Sequence, residues 1–317
     1  MLDLLTTIKG SNMEGFYPAG WDLAKLDACC AHDPEEIKER QGFWNADFAP
    51  VSCKNADIFA VKMGHAIAQE ICKAREEGRK LAFILPVGPM GMYEWVVYFL
   101  KEWNVACDHV SCFNMDEWSD AEGNTVGPAE KGSFQNAMME AFYGPLEELT
   151  VPASQRNFAT RQNLPAYADK IAKIKAAGGR LVTVYGIGRV FHIAFWEPHF
   201  AAEFASVGEW KSQAYRLGAH LHPLTIEQNA LHSFKSRTTL VPAFANTIGP
   251  ALFLQSDYAI GGCDGAYDRD MMWQGMSLWA ALRYGPDIWV PASFMPTIPG
   301  RLFYLKELAG PMNVECK

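Results

Sequence analysis

The stretch Leu181–Phe200, LVTVYGIGRVFHIAFWEPHF, decides the reading of this chain. Leu181–Tyr185 is a short apolar run of the length and β-branched content of a buried parallel strand. Gly186 and Gly188 follow and permit a tight turn where a side chain would clash. His192 comes next, with Glu197 five residues on and Pro198 after it. In open α/β sheets, ligands sit at the carboxyl ends of the strands. A strand that ends in glycines and then delivers a His and a Glu is therefore a candidate site, although a glycine turn and a hydrogen-bonded structural histidine give the same pattern.

Val110–Trp118, VSCFNMDEW, repeats the design: an apolar run ends in Asn114, then Asp116 and Glu117. FNMDEW, followed far downstream by G-x-G-x3-H-I-A-F-x-E-P, resembles the glucosamine-6-phosphate deaminase/isomerase family. The likeness covers roughly residues 53–305 and is carried by these two motifs. The related 6-phosphogluconolactonases share the sheet but continue differently after their histidine. The fold implied is α/β: a three-layer, mostly parallel Rossmann-like sheet with helices on both faces. Strands alternating with helices along the chain point the same way.

Composition sets the frame. The chain has 317 residues, 49% of them hydrophobic, enough for one large α/β domain. A net charge of -8 argues against nucleic acid and anionic membranes as partners. No apolar run approaches a membrane span, and MLDLLTTIKG lacks the charged start and long apolar stretch of a signal peptide. None of the eight cysteines falls in a CxxC pair. The expectation is a reducing cytoplasm, without a disulfide framework or a metal site.

Residues 1–52 read as an aromatic-rich N-terminal arm outside the sheet, with 53–317 as the α/β domain. Trp21, Phe43 and Trp44, set among Gly and Pro, should pack on the body or on a neighbouring subunit. A helix follows over Asn55–Arg79, with Ile58, Val61, Ile67, Ile71 and Cys72 near one face. Leu81–Leu85 is a strand, Pro86–Gly91 a glycine loop, and Met92–Trp103 a helix, the layout that binds phosphate on backbone N–H groups. Cys107–Phe113 reads as a strand, Ser119–Gly132 as a loop, and Phe134–Phe142, Tyr167–Ala177, Thr225–Phe234 and Met271–Tyr284 as helices. Phe244–Ile248 and Tyr258–Gly262 read as two further strands.

The resemblance implies an enzyme that opens a sugar ring, moves a proton between C2 and C1, and releases ammonia where C2 carries an amine. It needs no cofactor. Residue by residue, Asp116 matches the proton-shuttling Asp, His192 the ring-opening His, and Glu197 the acidic partner of that His. Glu117 matches the neighbouring acid and is placed with the substrate-binding residues, although a second carboxylate there could equally cap a helix. Gly88, Pro89, Met90, Gly186, Gly188, Arg189 and His232 match substrate-contacting positions. The departures are as informative. The Asp of the family's N-D-G-H run is Val190 here. The family's L-P-T-G-G-T-P loop is Leu85-Pro86-Val87-Gly88-Pro89-Met90-Gly91, with both hydroxyls gone and no N–H at Pro89. The phosphate-binding Arg falls on His232 and the phosphate-binding Lys near Asp268, leaving Lys235, Arg237 and Arg269 as substitutes.

The expected function is a sugar or amino-sugar aldose–ketose isomerase/deaminase whose substrate can lack the phosphate. The alternatives are a true glucosamine-6-phosphate deaminase with a rebuilt phosphate site and a non-catalytic sugar-binding or regulatory homologue. The partner expected is a small-molecule sugar or sugar phosphate. The resemblance and the arm suggest a homo-oligomer.

Overall fold

The computed structural model describes residues 3–267 and 271–310. Its strands are β1 (Phe48–Cys53), β2 (Leu81–Leu85), β3 (Val110–Asn114), β4 (Asp116–Ser119), β5 (Arg156–Asn157), β6 (Arg180–Gly186), β7 (Tyr215–His220), β8 (Phe244–Ile248), β9 (Tyr258–Cys263), β10 (Ala266–Tyr267), β11 (Met271–Met272) and β12 (Gly300–Leu305). The α-helices are α1 (Leu23–Cys30), α2 (Ala56–Glu76), α3 (Gly91–Glu102), α4 (Phe134–Met138), α5 (Tyr167–Ala176), α6 (Val207–Lys211), α7 (Pro223–Ser233), α8 (Pro250–Phe253) and α9 (Gly275–Arg283).

Seven strands form the main sheet in the order β1-β12-β9-β6-β2-β3-β5, every neighbouring pair parallel. All five residues of β2 and Leu181–Tyr185 of β6 are buried, as strands covered on both faces must be. The crossovers set the layers. Those through α2 and α3 run toward the β5 edge, while those through α5 and α9 run back toward β1. Right-handed crossovers in opposite directions lay their helices on opposite faces. The direction reverses between β2 and β6, which are hydrogen-bonded neighbours. The loops after these two strands therefore diverge and leave a crevice, the usual ligand position in such sheets.

A second sheet, β4-β8-β7, is antiparallel and holds Asp116 at its first residue, opposite Thr247. It is tied to the main sheet where the Met115 N–H bonds the Leu85 carbonyl and the Ile248 N–H bonds the Met115 carbonyl. Phe244–Ile248 is thus a strand of this smaller sheet. Apolar runs announce strands but not the sheet they join.

Several expectations change. The boundary at 52/53 falls inside β1, which pairs with β12 at the edge of the main sheet. Pro50 and Ser52 hid that strand, and an edge is where a strand tolerates proline. The helix expected from Met271 begins at Gly275, because Met271 and Met272 form a small hairpin with Ala266 and Tyr267. The strand expected from Cys107 starts at Val110. Ile58 of α2 is exposed, and the buried face runs through Phe59, Met63, Ile67 and Ile71. The strands β7 and β12 were not anticipated. Asp268 and Arg269 lie outside the described residues.

The N-terminal segment packs on the body of its own chain. The Trp21 indole N–H donates to the Trp289 carbonyl at 2.8 Å, and that of Trp44 to the Leu282 carbonyl at 3.0 Å. Both indoles are buried and Phe43 is half-buried. The helix α1 lies on α9.

Candidate functional site

At the carboxyl ends of β2, β6 and β9 lies a cavity of about 620 Å³. The loop after β2 supplies Val87, Gly88, Pro89 and Met90 to its wall, and the loop after β6 supplies Gly186, Gly188 and His192. Asp116 enters from the smaller sheet, His232 from α7 and Asp264 from the end of β9. Trp118, Phe134 and Phe195 form an aromatic wall, with ring centroids 4.9–6.0 Å apart.

His192 is held by a short, constrained loop. The Gly188 N–H donates to the His192 carbonyl at 3.1 Å, and the Phe191 N–H to the Gly188 carbonyl at 2.9 Å. Phe191 (φ 69°) and Ala194 (φ 54°) both lie in the left-handed region, which side chains enter at a cost. That geometry is braced from outside. The Ala292 N–H donates to the Phe191 carbonyl at 2.8 Å, and the Phe195 N–H to Thr247 Oγ1 at 2.9 Å. The ring of Trp21 lies 4.6 Å from that of Phe191, so the N-terminal segment touches the residue preceding His192. The His192 ring rests against Gly188. A Cβ on that glycine would stand 1.8 Å from Nε2, so the imidazole occupies the space that the absent side chain leaves.

On its other side, His192 Nδ1 lies 3.3 Å from Thr225 Oγ1 and 3.4 Å from Glu197 Oε2. Glu197 is fully buried behind the ring and away from the cavity wall. Val190, at the position of the family's second acid, is buried and apolar. Asp116 is buried on the wall. Burial, and then the charge of Glu117, hold its carboxyl well above the usual carboxylate range. A carboxylate raised this way is a stronger base when ionised.

Glu117 is not on the wall. Its carboxylate accepts the N–H groups of Trp118, Phe134 and Gln135 at 2.8–3.0 Å and the Ser133 hydroxyl at 3.2 Å. It closes the N-terminus of α4, so the substrate-contacting assignment from the motif is corrected to a capping one. Arg189 is likewise off the wall. Its backbone N–H donates to Gln228 Oε1 at 2.7 Å, and Gln228 is the residue that faces the cavity. Lys235 and Arg237 are exposed and absent from the wall. Among the described residues, Lys131 is the cation there.

Lys131, Asp264, Gln228 and Asn229 were missed in the sequence. Asp264 had a signal, since it follows the glycines that end β9 just as His192 follows those that end β6. Burial pushes its carboxyl up to about 6. Gln274 joins the two strand ends: its Oε1 accepts the Gly265 N–H at 2.8 Å, and its Nε2 donates to the Ile187 carbonyl at 2.6 Å. Among the described residues, no group of three His, Cys, Asp or Glu is placed to hold a metal ion, and no helix is long and apolar enough to cross a membrane.

No family model matches the chain. Among curated proteins, glucosamine-6-phosphate deaminase of Caenorhabditis elegans is 29% identical over 198 residues, covering 62% of this chain and 68% of the nematode protein. The deaminase of Borrelia garinii is 32% identical over 137 residues, 42% of this chain and 48% of that protein. The chain therefore spans about two thirds of the first relative's length and about half of the second's. Among solved structures, a monomeric glucosamine-6-phosphate deaminase superposes with a TM-score of 0.64 at 18% identity, over 82% of this chain and 98% of that one. A 6-phosphogluconolactonase from Thermotoga maritima gives 0.53 at 14% identity, over 81% and 99%. These two likenesses show the fold. The two motifs in their order and the curated relatives together make the chain similar to the glucosamine-6-phosphate deaminase/isomerase family.

Proposed function

We propose that the protein is an aldose–ketose isomerase or deaminase for a sugar or amino sugar, with a site that does not require the 6-phosphate. The observation that carries this reading is the wall itself. Asp116 and His192 line the same cavity, while Val87, Pro89, Met90 and His232 stand where the family places phosphate donors.

In this reading the apolar C–H face of a pyranose lies on the wall of Trp118 and Phe195. His192 takes the proton of the anomeric hydroxyl and returns one to the ring oxygen, opening the ring. Asp116, ionised, removes the C2 proton and delivers it to C1 while the proton of the C2 hydroxyl passes to O1, turning the aldose into a ketose. Where C2 bears an amine, the same shuttle yields a C2 imine. Water adds to it, and ammonia leaves with the C2–N bond. The raised pKa of Asp116 suits abstraction from carbon and predicts an acid limb above the ordinary carboxylate range, with activity rising as pH passes through it.

A second reading keeps the family's phosphorylated substrate, and Lys131 on the wall favours it. Lys131, with the N–H groups at the start of α3 beside Met90, would then form the rebuilt clamp.

The test is a matched pair, glucosamine against glucosamine 6-phosphate, each assayed for turnover and for solvent deuterium at C1 or C2 at one pH. Comparable turnover of the pair supports the first reading. A preference for the phosphate above about a hundredfold, some 2.7 kcal/mol, replaces it with the second. Binding of sugars without deuterium uptake, by these or other aldoses, would leave only a sugar-binding protein.

A further inference from the structure

Behind His192, away from the cavity, four polar atoms are buried with no hydrogen-bond partner: both carboxylate oxygens of Glu197 and both ring nitrogens of His199. Pro198 alone separates the two residues, at the start of the 3-10 turn Pro198–Glu203. Native folds rarely leave so many buried polar atoms unpaired in one place, and sites where protons move are among the exceptions. The group is open at both ends. On the cavity side, Glu197 Oε2 is 3.4 Å from His192 Nδ1. On the other side, the His199 ring lies 4.7 Å, centroid to centroid, from His220. His220 ends β7 and is exposed.

The other histidine beside His199, His222, with ring centroids 5.9 Å apart, is already committed. Its Nδ1 accepts the Leu224 N–H at 3.1 Å, which places its hydrogen on Nε2, and Nε2 donates to the Phe16 carbonyl at 3.1 Å. His222 is therefore a fixed neutral side wall. With Val190 in place of the family's second acid, Glu197 is the acid that His192 touches.

We infer that His192, Glu197, His199 and His220 form a proton path from the cavity to the surface, through which His192 exchanges its proton with solvent on the side away from the substrate. The Nδ1 proton of His192 passes to Oε2 of Glu197. The acid so formed gives a proton to one ring nitrogen of His199 across one bridging water, since no hydrogen bond joins the two groups directly. His199 releases a proton from its other nitrogen toward His220 and solvent, so no net charge stays behind. His192 is thus reset while the cavity is filled.

The charges around His199 suit a carrier. Burial holds its pKa down to about 4; Glu197 opposes this, and His220, His222 and Arg216 reinforce it. Arg216 is itself paired with Glu203. His199 is accordingly neutral at rest and gives up an added proton at once.

The path rests on His192 being the proton-handling group of the proposed reaction, but its test needs no sugar. In the full-length protein labelled with 15N-histidine, NMR would read the exchange of the His192 Nδ1 hydrogen with water. His199→Phe and His220→Ala should each slow it at least tenfold while leaving the His192 15N shifts nearly in place. Free imidazole should restore the rate in His220→Ala, which a merely structural role would not allow. Should His199→Phe fail to fold, His199→Gln, polar but unable to relay, carries the same expectation. A wild-type rate in a folded His199 variant, or no rescue by imidazole, overturns the path. A path present in a protein that turns over no sugar would remove the reaction and keep the path.

Discussion

Gly188→Ala is the sharpest perturbation that the geometry offers. The added Cβ would sit 1.8 Å from His192 Nε2, with Cδ2 at 2.2 Å and Cε1 at 2.4 Å, so the clash is with the whole ring edge. Non-bonded carbon and nitrogen rest roughly 3.5 Å apart, so the ring, the loop or both must open by roughly 1.7 Å. Gly188 does not have a left-handed φ, so alanine adds no backbone strain there and the displacement is the whole effect. A misplacement near 1 Å costs about a hundredfold in rate, equivalent to roughly 2.7 kcal/mol of barrier. Overpacking of this kind also costs about 1–3 kcal/mol of stability. For a chain of 317 residues that lowers Tm by roughly 2–4 °C. Gly186→Ala is the matched control, since its Cβ meets nothing closer than the Gly88 carbonyl at 3.3 Å. The assays are solvent-deuterium uptake at C1 or C2 of the best substrate and the 15N shifts of His192, which need no substrate. Gly188→Ala should lose at least a hundredfold in exchange and move the His192 signals; Gly186→Ala should leave the His192 signals in place. Exchange within threefold of wild type and unmoved His192 signals in Gly188→Ala would refute the placement of the ring.

Asp116→Asn should abolish proton exchange and raise Tm at neutral pH. The folded pKa of Asp116 lies above its unfolded value, so its ionisation destabilises the fold as pH rises and the amide removes that cost. Asp264→Asn follows the same sign with a magnitude. A rise from 3.8 to about 6 corresponds to about 3 kcal/mol, reduced to roughly 1–3 kcal/mol because Asp264 is only part-buried. The variant should match wild type near pH 4 and exceed it near pH 8 in chemical denaturation; equal stability at both would mean that a cation balances the carboxylate. Trp21→Ala removes an indole that donates to the Trp289 carbonyl and packs on Phe191. It should cost about 3–5 kcal/mol and shift the His192 signals, and an unchanged melt with unchanged signals would mean that the N-terminal segment does not brace the site.

What could be read along the chain was local. The apolar runs at β2, β6 and β9 are buried strands within one residue of where they were drawn, because strands covered on both faces need uninterrupted apolar side chains. Glycines and polar residues at strand ends marked where a site would open, and the order of the two motifs carried the family resemblance. Edge strands were harder. Pro50 in β1 is tolerated only because no second partner needs its missing N–H, and that depends on the position of β12, some 250 residues away.

The roles of charged residues were decided in three dimensions. Glu117 looked like a substrate ligand beside Asp116 until Ser133, Phe134 and Gln135 were brought to its oxygens. Arg189, Lys235 and Arg237 were near the site in sequence, yet a long side chain does not reveal which side of the backbone it leaves on. Lys131 and Asp264 reach the wall from loops with no family motif. Sequence alone determined the buried strands β2, β6 and β9 and the order of Asp116, His192 and Glu197, since hydrophobic period and turn chemistry act over a few residues. Tertiary structure decided which of these groups meet, what buries them and what they lack. Hydrogen-bond partners and desolvation come from segments far apart in the chain, and it is those that set whether a carboxylate caps a helix, takes a proton or waits unpaired beside a histidine.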